Sequence, residues 1–580
     1  MRSTFLLSVL GIWGIIAQEA AAARAKAQVF FEGGKYRVQK SSEGSTHNAD
    51  AVCYGEYTSG NTLNGWNYLE VFATQEPTSA DDMVAARKGM GFLEGQMTCA
   101  EILSFYPNFY NDLLGEEVPG DEVLGFLRTQ HEWTADMSEK LWQSDSYWLA
   151  QRALLAQLTG LYEGFVQSEC MHAQGKSQGG AFSWKSLAVA PRLEQFLLIN
   201  AWGDMYQIGL KFKRPSSLGY SRMFGVGAKR MRVERCSALV KILPGSSDIF
   251  FAHNTWDGYQ GMAPRIYKHY SFPLWRGEGQ AAQPYEVFFS SSPLLLSSVD
   301  DFFVIDGAAN LGVTETTNSL FNVKLLDLVV PQSSLSWQRA QVANVLAASG
   351  AQWPELFARY HSGTYTNQWM VLDLALFSAG TPPVLGFFSV LEEVPGTITW
   401  SDQTPALVRQ GFWSSYNNPF YPNIREKSGY DELCGVGAED ACYGKSPRAL
   451  LFAQYQGGVV DAAGMRALMQ YNNYTIDAAS DGDACAAIAC RGDLPVPLDG
   501  GPFGALDAKV SSALLARRRT QDATYSPTVY VHLGPTTSGG ALPVFCWSEA
   551  YPEYGARAHF SHDGQPDCFD FGWQTFGAAQ

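Results

Sequence analysis

A thiol, an imidazole and an indole recur close together at Cys236, His253 and Trp256. Cys236-Ser-Ala-Leu-Val-Lys-Ile-Leu243 is a β-prone run. The turn signal Pro244-Gly245-Ser246-Ser247-Asp248 follows it, and Ile249 to Trp256 is a second β-prone run. Two such runs about a short Gly-containing connection predict an antiparallel hairpin. With the turn centred near Ser246, the residue opposite Cys236 falls near Trp256, with His253 a few residues away. A thiol becomes a nucleophile as thiolate, and a neighbouring base or cation favours that form. If the peptide bond between Arg235 and Cys236 is cut, the new α-amino group, with an intrinsic pKa of about 7.7–8.0, sits on the nucleophile's own Cα. Taken alone, the hairpin favours the plainer reading of a small buried cysteine beside a satisfied core histidine.

The segment before Cys236 favours the first reading. Lys211, Lys213, Arg214, Arg222, Lys229, Arg230, Arg232 and Arg235 are offset only by Glu234, and Pro215, Gly219, Gly225 and Gly227 interrupt any periodicity. A basic, Gly-containing stretch in an acidic protein reads as an exposed loop, where nicking concentrates. The expected organisation is therefore an N-terminal fragment 24–210, a processed linker 211–235 and a C-terminal fragment 236–580, both fragments forming one catalytic unit.

The elements that must position these residues mix strands and helices. Gln28 to Lys40 and Tyr68 to Ala73 alternate as strands. Asp81 to Thr98, Asp121 to Trp142 and Tyr147 to Val166 have helical periodicity. Beyond the hairpin, strands are expected at Tyr285–Ser290, Phe302–Asp306, Met370–Asp373 and Thr397–Trp400, with a helix at Trp337–Ala348. No regular βαβ order emerges, so the fold class is α+β.

A chain of 580 residues with 46% hydrophobic and 17% charged residues can bury a large core. The net charge of −16 argues against a nucleic-acid partner, which needs a basic face. Residues 1–23 read as a secretory signal: Arg2, an apolar run from Phe5 to Ala17 too short to span a bilayer, then small residues. No transmembrane segment follows, so a secreted or lysosomal location is expected. Ten cysteines suit an oxidising compartment. Proximity suggests the pairs Cys434–Cys442, Cys485–Cys490 and Cys546–Cys568, although spacing cannot establish connectivity. Asn473 heads the N-glycosylation sequon Asn473-Tyr-Thr475.

The stretches CSALVKILPG (236–245), FAHNTWDGY (251–259), TETTNSLFN (314–322), SGTYTNQWMVLDL (362–374), SYNNPF (415–420), SPRALLF (446–452), MQYNNYTID (469–477) and LPVFCW (542–547) resemble, in order, the phospholipase B-like family. GWNYLEV (65–71) and LLAQLTGLYEGF (154–165) extend the likeness into the N-terminal part. That family belongs to the N-terminal nucleophile hydrolases, alongside penicillin V acylase and bile-salt hydrolase. The resemblance implies a four-layer αββα sandwich that releases acyl chains from phospholipids through a thioester. It implies Cys236 as nucleophile, with His253 and Trp256 lining the pocket and Thr317 reaching the site from a neighbouring strand. Asn417 would complete an oxyanion hole, and Arg448 would hold an anionic group or steady the thiolate. On residue type alone, Asn417 is a turn residue before Pro419 and Arg448 a surface charge. No cofactor and no metal are implied.

Arg235 departs from the small or polar residue expected before the nucleophile, and it also makes a trypsin-like site. Cys170 and Cys568 lie outside the matching stretches. Two other functions stay open: an amidase acting on N-acyl or peptide amides, and a secreted binding protein with an inert site. Gly175-Lys-Ser177-Gln-Gly179 has the form of a serine-lipase elbow, but SECMHAQ and GAFSW do not supply the strand and helix it needs. Arg491-Gly492-Asp493 reads as structural rather than adhesive.

Overall fold

The computed structural model describes residues 23–42, 46–114, 120–174, 192–213, 236–494, 502–517, 526–550 and 562–577. Residues 1–22 of the expected signal, the Ser177 motif, Arg235 and most of the basic linker lie outside the described residues.

The first four strands are β1 (Ala23–Glu32), β2 (Lys35–Ser41), β3 (Cys53–Ser59) and β4 (Trp66–Ala73). After the linker come β5 (Cys236–Ile242), β6 (Ile249–Gly258), β7 (Arg265–Leu274), β8 (Gln283–Ser291), β9 (Phe302–Asp306) and β10 (Asn310–Thr317). There follow β11 (Asn367–Asp373), β12 (Phe388–Val394), β13 (Thr397–Asp402), β14 (Phe412–Ser415), β15 (Phe503–Ala505), β16 (Asp507–Ser512), β17 (Val529–Leu533) and β18 (Gln574–Phe576). They form two sheets. One has eleven strands in the order β13-β12-β11-β10-β9-β8-β7-β4-β3-β1-β2; the other runs β14-β5-β6-β16-β17-β18, with β15 paired to β6.

Three packed layers of side chains separate sheets and helices. Ala238, Val240 and Phe251 of the smaller sheet meet Phe302, Val304 and Met370 of the larger between the sheets. The outer face of the larger sheet, with Val71, Val287 and Val313, packs on Met90, Leu93, Ala340 and Ala343. Those four belong to helices Ala80–Met97 and Ser336–Leu346. Leu239, Phe250 and Val510 cover the other outer face against Leu451, Phe452, Met465 and Leu468, from helices Pro447–Tyr455 and Ala462–Met469. Apolar residues are therefore buried on both faces of β5 and β6, which is why these strands read as nearly continuous hydrophobic runs. The result is the expected α+β sandwich, helix–sheet–sheet–helix.

Some local expectations need correction. Gln28 to Lys40 is a hairpin, not one strand: Gly33 and Gly34, at φ 57° and 80°, turn the chain between β1 and β2. Both angles lie where glycine alone is unstrained, as a tight primed turn demands. The three local disulfides form as expected. Cys170, unassigned by spacing, pairs with Cys99 across 71 residues. Cys53 and Cys236 remain as buried thiols. Arg491 is buried and forks onto Asp493 at 2.8 and 2.7 Å, so this tripeptide is structural.

Sequence segments from both sides of the linker share the larger sheet. β4 pairs in parallel with β7, from Trp66 opposite Arg265 to Phe72 opposite Ser271. Among the described residues, no helix is long and apolar enough to cross a membrane.

Candidate active site

The hairpin β5–β6 forms as the turn signal predicts, with Gly245 at φ 66° in the connection. Its register differs by one residue from expectation: Cys236 stands opposite Thr255, not Trp256, and His253 is opposite Ala238. Residues directly opposite in an antiparallel pair project to the same face. Cys236, Ala238, His253 and Thr255 therefore share the face toward the larger sheet.

Cys236 lies 4% exposed at the edge of a cavity that Trp256, Thr317, Trp202, Tyr206, Asp257 and Tyr365 also line. Trp202 and Tyr206 precede the linker, so both parts of the chain build the cavity. Thr317 ends β10 and reaches the cavity from the facing sheet. His253 is fully buried and sits outside the cavity wall, although a ring nitrogen lies within 4.8 Å of the Cys236 Sγ.

The backbone of Cys236 is gripped by two side chains. Arg448 donates to the Cys236 carbonyl through Nη1, and through Nη2 to the Asn417 Oδ1 at 2.7 Å. The same Oδ1 accepts the Cys236 N–H at 3.3 Å, while Asn417 Nδ2 donates to the Thr317 carbonyl. Arg448 is fully buried and its guanidinium lies 4.4 Å from the Trp256 ring centroid. The residue-type reading of Arg448 as a surface charge is thus overturned; β14 and the helix from Pro447 draw it inward. Asn417 holds a left-handed backbone, φ 62°, which asparagine tolerates better than most side chains. In this structure its amide nitrogen therefore donates to Thr317 on the facing sheet while its oxygen holds the Cys236 backbone.

Beneath the hairpin lies a buried set of charges that residue spacing did not reveal. Lys509 of β16 contacts Asp507 at 2.6 Å, Thr255 Oγ1 at 2.7 Å and Asp300 at 3.4 Å. Arg265 of β7 lies 3.8 Å from Asp300 and 3.7 Å from Asp507. Burial alone would raise the Asp300 carboxyl, but Lys509 and Arg265 hold it well below the usual range. Next to it, Tyr365 donates to Asp301 at 2.7 Å and to Glu315 at 3.2 Å. Burial pushes Asp301 up to about 8, and burial together with Asp301 pushes Glu315 up as well. Burial, then Glu315, raises the Cys236 thiol; burial, then Lys509, lowers His253. In the uncut chain both groups are therefore neutral. Glu315 stood within a matching stretch, but no residue-type rule marks a strand glutamate as buried.

The Cys236 sulfur, a His253 ring nitrogen and a Glu315 carboxyl oxygen all lie within 4.8 Å of one another. Asn473, the sequon residue, is half-buried beside the exposed Thr475 and Ile476.

Comparison with known proteins converges on one family. The phospholipase B family model matches residues 53–576. Phospholipase B-like 1 of Homo sapiens is 36% identical over 91% of this chain and 87% of its own length. Phospholipase-B 81 of Drysdalia coronoides is 33% identical over 91% and 88%, and phospholipase B-like protein G of Dictyostelium discoideum 32% over 91% and 86%. The match begins at β3 and ends at β18, spanning both sheets, the hairpin and the grip on Cys236, and the chain belongs to the phospholipase B family.

Proposed function

We propose that the protein is a hydrolase of carboxylic esters, of the N-terminal nucleophile type, that releases acyl chains from phospholipids after the bond before Cys236 is cut. The observation that carries this reading is the grip on Cys236. A side-chain thiol opens onto a cavity while its own nitrogen and carbonyl are fixed by Asn417 and Arg448. A free α-amino group at that nitrogen would take the thiol proton. The thiolate then attacks the ester carbonyl, the S–C bond forms as the alcohol leaves with that proton, and water cleaves the thioester. The carbonyl oxygen gains negative charge beside Asn417, whose amide nitrogen would donate to it. Arg448, held rigid on Trp256, is a delocalised cation near that charge. Relatives named phospholipase B support the lipid-ester substrate, and the disulfides suit a secreted or lysosomal location.

Acyl release from phosphatidylcholine vesicles by the cut protein and by Cys236→Ala tests the reading. The cut protein should liberate fatty acid and the alanine variant should not. N-acyl amides belong in the same assay: turnover of amides with no release from phospholipid would make the protein an amidase, and turnover of neither would leave a binding protein.

A further inference from the structure

In the uncut chain the nitrogen of Cys236 is an amide, so it can serve neither as base nor as cationic partner for the thiol. Cutting the Arg235–Cys236 bond by that thiol needs two other groups. One must take the Sγ proton, and one must protonate the departing nitrogen, which leaves far more readily as a neutral amine.

Three buried side chains meet at the thiol: the Cys236 Sγ, a His253 ring nitrogen and a Glu315 carboxyl oxygen lie within 4.8 Å of one another. The buried Oε2 of Glu315 has no hydrogen-bond partner. Neither ring nitrogen of His253 has one at normal geometry, though one is turned toward the backbone of Glu315. The Tyr365 hydroxyl lies within hydrogen-bond distance of both Asp301 and Glu315, so the two buried carboxyl groups sit together around the same phenol oxygen. Two carboxyl groups crowded in a dry site do not readily both ionise, so one keeps its proton. Among the described residues, neither Asp301 nor Glu315 forms an ion pair that would favour its loss.

We propose that Glu315 is the proton donor, and His253 the base, of the step that cuts the chain before Cys236; this rests on the reading of Cys236 as a self-cleaving nucleophile. His253 takes the Sγ proton and the S–C bond to the Arg235 carbonyl forms. The C–N bond then breaks as Glu315 gives its proton to the Cys236 nitrogen. Water next attacks the thioester; its oxygen bonds to the Arg235 carbon and one of its protons restores Glu315. Sulfur departs and recovers its proton from His253. Net consumption is one water, with no other reactant. Burial keeps His253 neutral and so free to accept a proton, and keeps Glu315 protonated and so able to give one. Once the amine is free it replaces His253 as the nearest base, so the pair acts once per molecule.

The step should be acid-favoured. The groups facing Glu315 are Asp301, Tyr365, Lys509 of β16, Cys236 of β5 and His253 of β6. Asp301 raises its pKa, Tyr365 and Lys509 lower it, and burial dominates. Cutting should accordingly slow as pH rises through the titration of the carboxyl pair.

The full-length precursor, purified at alkaline pH and shifted to a series of buffers, gives the cutting rate from fragment bands on a denaturing gel. Wild type should cut fastest in acid. Glu315→Gln should cut on the order of 100-fold or more slower, without the acid limb, while unfolding at a similar temperature. Asp301→Asn keeps the donor but removes its partner, so it should cut with the falling limb moved to lower pH. That second variant carries the test if Glu315→Gln does not fold. Wild-type rate and pH profile in Glu315→Gln, or an unmoved limb in Asp301→Asn, would overturn the proposal. Cutting in Cys236→Ala would instead sink the self-cleavage reading beneath it.

Discussion

The Asn417 side chain is held by Arg448: a single oxygen, Oδ1, accepts Arg448 Nη2 at 2.7 Å and the Cys236 N–H at 3.3 Å. Arg448 therefore orients the amide that holds the Cys236 backbone. Arg448→Lys keeps the charge but not the planar fork that reaches two acceptors. Acyl release by this variant should fall by about 10²-fold, with kcat affected more than KM. Asn417→Ala should fold and be cut, yet lose on the order of 10²–10³ in kcat, the usual effect of one oxyanion donor. A change confined to KM would reduce Asn417 to a substrate contact.

Cys236→Ala should abolish ester hydrolysis, and Cys236→Ser should retain slow turnover at most, because a hydroxyl ionises far less readily than a thiol. Fatty-acid release measured on both purified variants checks this. Normal release by the alanine variant would remove Cys236 from the chemistry.

Mature protein should run as two pieces even without reductant, since Cys99–Cys170 closes within the first and the other three disulfides within the second. Sequencing the larger piece should begin Cys-Ser-Ala-Leu. Arg235→Gln should still be cut if the thiol does the work, and should stay whole if a trypsin-like protease does.

Stability should rise as pH falls from about 8 to about 6.5. Burial pushes Asp204 up to about 6, Glu392 to about 7 and Asp301 to about 8, against unfolded values of 3.8 to 4.5. The folded chain holds protons that the unfolded chain has released, so raising pH through that window favours unfolding. His269, though burial opposes it, is held up by Glu286 and Glu70 and works in the same direction. Below 6.5 one group opposes the gain: burial pushes His532 down to about 4, so the unfolded chain takes up that proton first. The gain from pH 8 to 6.5 should be on the order of 2 kcal/mol. Thermal midpoints across this range measure it; a flat profile would mean these carboxyls are hydrated in solution.

Lys509 is fully buried with two carboxylates. Lys509→Met should cost about 3–5 kcal/mol by leaving two buried carboxylates to share the single cation Arg265. Denaturant titration of the variant reads that loss directly.

Much of this arrangement was legible in residue order. The Pro244–Asp248 turn between two β-prone runs announces the hairpin, and close cysteine pairs announce three disulfides. The register was off by one because the 3-10 turn at Pro244–Ser246 takes up residues differently from a tight loop. Cys99–Cys170 was hidden because helix packing, not proximity in the chain, brings it together. Asp300, Glu315 and Lys509 were hidden for another reason. Charged residues ordinarily face water, and only the meeting of β6, β10 and β16 with the loop before β9 places these three in one dry pocket. Asn417 and Arg448 were identifiable only through the likeness to a family; their types alone pointed to a turn and to the surface.

The parallel ladder between β4 and β7 has a thermodynamic corollary. It weaves residues 66–72 against 265–271, one partner on each side of the linker. A chain severed in that linker keeps its shape, but its unfolding changes molecularity: one folded particle now yields two separate polypeptides. Before cutting, the midpoint of unfolding is independent of protein concentration. Afterwards it must rise with concentration, and recovery from denaturation requires two strands of different origin to find each other by diffusion. Such a cut would make the native state one the molecule reaches easily only once.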